Sequence, residues 1–232
     1  MNESLQTAYS GGGSSIALAQ RNRVLRNTYW LLALSLVPTV LGAWIGVSTG
    51  VIARMGTGMS VLLFLGGAFG FIFAIEKTKN SAAGVPVLLG FTFFMGLMLS
   101  RLLSAILGFS NGPSLIMMAF GGTAGVFFAM ASLATVIKRD LSGMAKFLFV
   151  GVIVLLIAGL MNIFLFQSSA LMLTISVIAI GLFSAYMLYD IKRIIDGGET
   201  NYITATLAIY LDLYNIFQSL LAILGFAGGD RE

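Results

Sequence analysis

Seven runs of apolar residues, separated by short polar connections, fill the chain after residue 27. They cover roughly 28–47, 58–75, 83–107, 114–137, 145–166, 169–190 and 203–226. A helix rises 1.5 Å per residue, so about 20 such residues cross the ~30 Å of a bilayer's hydrocarbon. The runs are too long and too continuously apolar for the alternating strands of a membrane barrel, which need only about 10 residues each. The pattern therefore predicts an all-α polytopic membrane protein with seven transmembrane helices. Its seventh run is the least apolar, interrupted by Thr204, Thr206, Asp212, Asn215, Gln218 and Ser219. A span that polar cannot face lipid on all sides, which places it inside the bundle. Residues 1–27 are polar, and Gly11-Gly12-Gly13-Ser14-Ser15 reads as a flexible linker. The expected organisation is a flexible polar cytoplasmic tail over 1–27 and a transmembrane domain over 28–232. The tail lacks the apolar core of a cleavable leader, so the first span is expected to act as both signal and anchor.

Composition strengthens this picture and narrows the chemistry. Hydrophobic residues make up 58% and charged residues 9%, and mean hydropathy is +0.98; soluble domains carry roughly a quarter charged residues. There is no cysteine and no histidine, which excludes disulfides, thiol catalysis, zinc sites built on Cys or His, and every His-dependent triad. The net charge of +4 does not point to nucleic acid, because the basic residues sit singly or in small groups between apolar runs. They set orientation instead. Arg21, Arg23, Arg26, Lys77, Lys79, Lys138, Arg139, Lys146, Lys192 and Arg193 fall on one side, and only Arg54, Arg101 and Arg231 on the other. The positive-inside rule then puts the N-terminus in the cytoplasm and the C-terminus in the periplasm. Pro38 is expected to kink the first span, and Gly66-x3-Gly70 and Gly121-x3-Gly125 are expected to pack helices closely.

Two intramembrane acids carry the candidate chemistry. Asp190 closes the sixth run, and Asp212 lies ten residues into the seventh, past Tyr202. Their midpoint, residue 201, falls in the connection Asp196-Gly197-Gly198-Glu199-Thr200-Asn201. In an antiparallel hairpin, residues equidistant from the turn share a height, so the two carboxylates should lie within about 5 Å of each other along the membrane normal. Rotation of the helices, which spacing does not fix, decides whether they face each other. If they do, a low-dielectric site makes double ionisation costly, and the pair holds one proton between its two carboxyls. Losing that proton would add negative charge, spread the helices and attract a hard cation such as Ca²⁺. The plainer alternative pairs Asp190 with Lys192 or Arg193 and leaves Asp212 hydrogen-bonded to a neighbouring helix. Supporting candidates are Arg101, Glu76, Tyr189, Tyr214 and Asn215; for Glu76 the simplest reading is an interfacial pair with Lys77, and for Arg101 a side chain that snorkels outward.

Several motifs have a specific resemblance. Gly197-Gly198-Glu199-Thr200-Asn201-Tyr202-Ile203, Leu213-Tyr214-Asn215-Ile216-Phe217 and Ile223-Leu224-Gly225-Phe226-Ala227 resemble the transmembrane Bax-inhibitor motif family, nearest to its proteobacterial YccA-like members. Val24-Leu25-Arg26-Asn27-Thr28-Tyr29, Lys138-Arg139-Asp140-Leu141-Ser142 and Asn162-Ile163-Phe164 extend the likeness over nearly everything after residue 23. The resemblance implies seven helices with the last at the centre. It also implies a pH-sensitive Ca²⁺ leak gated by paired aspartates on the sixth and seventh helices, whose positions Asp190 and Asp212 match. For YccA-like members it implies instead restraint of the membrane-anchored AAA protease FtsH. Two departures stand out. Ser100-Arg101 occupies a place where many members have Gly-Pro, and no arginine lies within the second helix, Arg54 preceding it.

The expected function is therefore a cation leak gated by Asp190 and Asp212 in a bacterial inner-membrane protein, with transient Ca²⁺ at the pair, no resident cofactor and no enzymatic activity. The alternative is a non-conducting modulator that binds FtsH. An intramembrane aspartyl protease is weaker, because the Gly-x-Gly-Asp and Pro-Ala-Leu sequences of such enzymes are missing around Asp212. A retinal protein would need a lysine in the seventh span, which has none.

Overall fold

A computed structural model describes the backbone of residues 3–229 and the side chains of residues 19–229. Seven helices follow in order: α1 (Glu3–Thr49), α2 (Thr57–Thr78), α3 (Gly84–Leu107), α4 (Gly112–Val136), α5 (Met144–Met161), α6 (Ser169–Ile195) and α7 (Tyr202–Gly228). A π-helical turn, Asn162–Phe166, prolongs α5. All seven are long and apolar enough to cross a membrane, and no strand occurs among the described residues. Most edges fall within three residues of the runs read from the sequence. Two do not, and both differences have a local cause. Helix α1 begins well before Thr28, because Ala19-Gln20-Arg21 and the residues up to Arg26 are largely strong helix formers that propagate the span outward. The Gly-Ser stretch expected to be flexible lies outside the residues whose side chains are described. Helix α6 continues five residues past Asp190, with Lys192 and Arg193 in its last turn, where cations complement the helix dipole. It stops at Gly197, whose φ of 80° suits glycine alone without strain.

Helix α7 packs against α1, α2, α3, α4 and α6, while α5 sits farther out on α6. The core follows from this arrangement. Ile203, Ile209, Tyr210 and Ile216 of α7 are buried in one cluster with Ile75, Leu88, Phe91 and Met95 of α2 and α3 and Met187, Ile191 and Ile194 of α6, while Leu221 of α7 packs in a second with Ile106, Leu115 and Ala119 of α3 and α4. The outward faces keep Trp30, Trp44, Phe69, Phe73, Phe120, Phe128, Phe147 and Val154 exposed, the surface a lipid solvent requires.

The closest approach is between α1 and α3. A Cβ on Gly96 would lie 2.0 Å from the Thr39 carbonyl oxygen, and one on Gly42 would lie 2.1 Å from that of Phe93. These small residues, together with Gly46 against Ser100, make the seam. By contrast, Gly66, Gly70, Gly121 and Gly125 have nothing within 4 Å of an added Cβ. The two spacings expected to pack helices therefore face outward, since local spacing does not encode which way a helix is rotated. Pro38 does not interrupt α1; the Ser35 and Thr39 hydroxyls donate to the carbonyls of Leu32 and Ser35 at 2.7 and 2.8 Å on either side of it.

Connections at the two ends are tied by side chains. At the basic end, Asn201 caps α7, its Oδ1 accepting from Ile203 N at 2.9 Å and Thr204 N at 3.2 Å. Its Nδ2 donates to Lys79 O at 3.1 Å and Asn80 Oδ1 at 2.9 Å, joining the α6–α7 connection to the α2–α3 connection. Asn201→Ala is expected to destabilise the bundle by about 2 kcal/mol, the sum of a lost cap and the lost cross-links. Asn201→Asp, which keeps the cap acceptor but not the donors, should cost about half as much. Thermal unfolding in detergent would separate them; equal losses would mean that only the cross-links matter, and no loss in Asn201→Asp that only the cap does. In the α4–α5 connection, Asp140 accepts from Ser142 N and Oγ, both at 2.8 Å, and these bonds hold its carboxyl below the usual carboxylate range. At the opposite end, Asn162 brackets the α5–α6 turn by accepting from Ser168 N at 2.9 Å and donating to Ser168 O at 3.1 Å.

Candidate functional site at the α6–α7 pair

Asp190 and Asp212 meet. Their carboxyl groups lie within hydrogen-bond reach across the α6–α7 interface, as equidistance from the turn suggested they would in height. Asp212 is 3% exposed, and Asp190 is partly buried. No neighbouring residue donates to Asp212 Oδ2. A carboxyl–carboxyl contact is a hydrogen bond only when one of the two carries a proton, because an ionised carboxylate has no donor. The geometry is thus complete in the singly protonated state and repulsive in the fully ionised one.

The plainer pairings of the sequence reading are not made. Lys192 bonds Asp196 rather than Asp190, and Arg193 bonds Glu199 at 3.6 Å. Arg193 and Glu199 both act on Asp190 through space, with opposite signs. One aromatic residue at this site was not singled out from the sequence. Tyr186 lies one turn before Asp190 on α6, feels both carboxyls and stacks on Phe183 with centroids 6.4 Å apart. Its signal was available as an i−4 spacing from Asp190, which puts both on one helix face.

The remaining candidates are dispersed. Arg101 stands at the end of the bundle remote from Asp190 and donates to Thr57 Oγ1 at 3.2 Å, so it is not part of the aspartate site. Glu76 pairs with Lys79 at 2.5 Å, not with Lys77; Lys77 instead sits over the Phe73 ring, 4.6 Å from its centroid. Both partners follow helical rotation, in which residues three or four apart are neighbours and adjacent ones are not. Tyr214 points away from Asp212 and donates to Met95 O at 3.4 Å on α3. Asn215 donates to Leu211 O at 2.8 Å within its own helix. Tyr189 is partly buried beside Asp190 in sequence. Among the described residues no cluster of three acidic side chains occurs, so the pair alone falls short of the 6–8 oxygens of a resident calcium site.

Deeper in the core, Tyr210 Oη and Thr39 Oγ1 are 2.9 Å apart, and Tyr210 also reaches Thr92 O at 3.4 Å. This contact joins α7 to the α1–α3 seam.

Comparison with known proteins places these features in a family. The model described as "Inhibitor of apoptosis-promoting Bax1" matches residues 21–229. The modulator of FtsH protease YccA of Escherichia coli K12 is 41% identical over 214 residues, covering 92% of this chain and 94% of its own. An inner membrane protein YccA of another E. coli strain matches to the same extent. An uncharacterised protein of Pseudomonas aeruginosa is 42% identical over 207 residues, covering 89% of this chain and 90% of its own. The chain is a member of the Bax inhibitor family.

Proposed function

We propose that this protein is a non-enzymatic, multi-pass inner-membrane modulator of an FtsH-type protease. The observation that carries this reading is the 41% identity, over nearly the full length of both chains, to a protein named for that role. Orientation follows from the charge asymmetry, ten of thirteen Lys and Arg residues lying at one end, which sets that end in the cytoplasm. There the polar N-terminal segment would be accessible to a membrane-anchored protease. The test is co-purification with FtsH from solubilised membranes, beside the decay of a membrane substrate of the protease. The full chain should bind and lengthen the substrate's half-life severalfold, and a chain beginning at residue 19 should lose most of that effect. Substrate decay at an unchanged rate, with no co-purification, would sink the reading.

A second reading, a pH-sensitive cation leak, is favoured by the contact between Asp190 and Asp212. The two readings are compatible, since a pair that changes charge with pH can bias the packing of α6 on α7 whether or not ions pass. Flux of ⁴⁵Ca²⁺ into liposomes holding the purified protein, from pH 6 to 8, separates conduction from modulation.

A further inference from the structure

A groove of about 410 Å³ opens at the basic end between α1 and α7, lined by Asn27, Trp30, Leu31, Leu34 and Tyr202. Its size is within the range of small-molecule sites. It is a shallow, open depression with a mostly apolar lining, to which Asn27 and Tyr202 add polar groups. The helix pattern of α1 extends it toward the basic end. Taking 100° per residue, Arg23, Arg26, Asn27, Trp30 and Leu34 fall within a sector about 100° wide. Arg26 is one turn and Arg23 two turns beyond Trp30, about 6 and 10 Å along the axis. Both arginines are exposed, and neither makes an ion pair among the described residues. The acids nearest in the connections are already engaged, Glu76 by Lys79 and Glu199 by Arg193.

The order along this face is therefore cation, cation, amide, indole, then leucine. That is the order of groups along a phospholipid lying parallel to the membrane normal. Arg and Asn would meet the phosphate, since arginine recognises phosphate oxygens through a fork of donors. Trp30, 73% exposed, sits at the level where amphipathic rings prefer the interface. Leu31 and Leu34 would line an acyl chain. A lone helix face offers lipid no lateral contact; here Tyr202 of α7 closes one side of the depression, and the unpaired cations of α1 lie toward the headgroup end.

We propose that this groove is a binding site for an anionic phospholipid of the leaflet that meets the basic end. The site selects net negative charge through Arg23 and Arg26 and seats one chain between α1 and α7. A polybasic membrane surface offers a similar attraction everywhere, so the test must separate this face from the other basic connections.

The experiment is native mass spectrometry of the full chain after incubation with equal amounts of phosphatidylglycerol and phosphatidylcholine bearing identical chains. The first lipid retained should be phosphatidylglycerol. Arg23→Gln with Arg26→Gln should reduce that preference by about thirtyfold, given the contribution typical of each basic residue near an anionic surface. Lys138→Gln with Arg139→Gln, exposed on the α4–α5 connection, should leave it unchanged. Leu34→Trp, which fills the groove and keeps both arginines, should lose the retained lipid whatever its headgroup. If the double glutamine variant proves unstable, Arg23→Lys with Arg26→Lys keeps the charge and should restore the preference. Equal retention of both lipids, an equal loss in the Lys138 and Arg139 variant, or no loss in Leu34→Trp would each overturn the proposal.

Discussion

Gly96→Ala is expected to destabilise the bundle by more than 3 kcal/mol, although alanine is the better helix former by about 1 kcal/mol. The added Cβ would sit 2.0 Å from the Thr39 carbonyl oxygen, 2.8 Å from its carbon and 3.0 Å from Ala43 N. Core overpacking costs about 1–3 kcal/mol where side chains can yield; here all three obstacles are backbone, so α1 and α3 must separate. Separation would also strain the 2.9 Å contact between Thr39 and Tyr210, coupling the seam to α7. Gly70→Ala is the matched control. Nothing lies within 4 Å of its Cβ, so it should be neutral or gain up to about 1 kcal/mol from propensity. Unfolding of both variants in a detergent titration reads the difference directly. A Gly96→Ala protein as stable as its parent would mean that α1 and α3 do not approach this closely.

That pair of glycines also shows where sequence reading stops. Both sit in small-residue spacings, and the pattern along the chain favoured Gly66-x3-Gly70, which turns out to face outward. The packing seam pairs Gly42 with Phe93 and Gly96 with Thr39, contacts more than 50 residues apart in sequence, and no local spacing encodes them. The spans themselves were legible because hydrophobic length is a property of each segment alone. The height of Asp190 against Asp212 was legible for a similar reason: one turn fixes the register of both helices. Their facing each other was not, since it depends on the rotation that Met187, Ile191 and Ile194 of α6 adopt when buried against α7. Glu76 illustrates the same limit at smaller scale. Adjacency suggested Lys77, and helical rotation selected Lys79.

Single substitutions at Asp190 or Asp212 are expected to flatten any pH response of the protein, and the double substitution should add nothing further. Two unit charges about 4 Å apart repel by about 4 kcal/mol at an effective dielectric of about 20. That is enough to change the α6–α7 equilibrium by two to three orders of magnitude between the singly protonated and fully ionised states. Asp212→Asn keeps a hydrogen bond to Asp190, because the amide donates where the shared proton did, and it removes the second charge at every pH. The variant should therefore remain in the paired arrangement from pH 6 to 8. Asp190→Asn should do the same from the other side. If the carboxyls act as one unit, Asp190→Asn with Asp212→Asn will match either single variant, a non-additivity expected of groups in direct contact. If they act separately, the two effects will sum. The readouts are Ca²⁺ flux and, for a protein that does not conduct, the pH dependence of co-purification with the protease. A pH response that survives in both single variants would remove the pair from the mechanism and leave Arg193 and Glu199, which act on Asp190 through space, as the charged groups to test next.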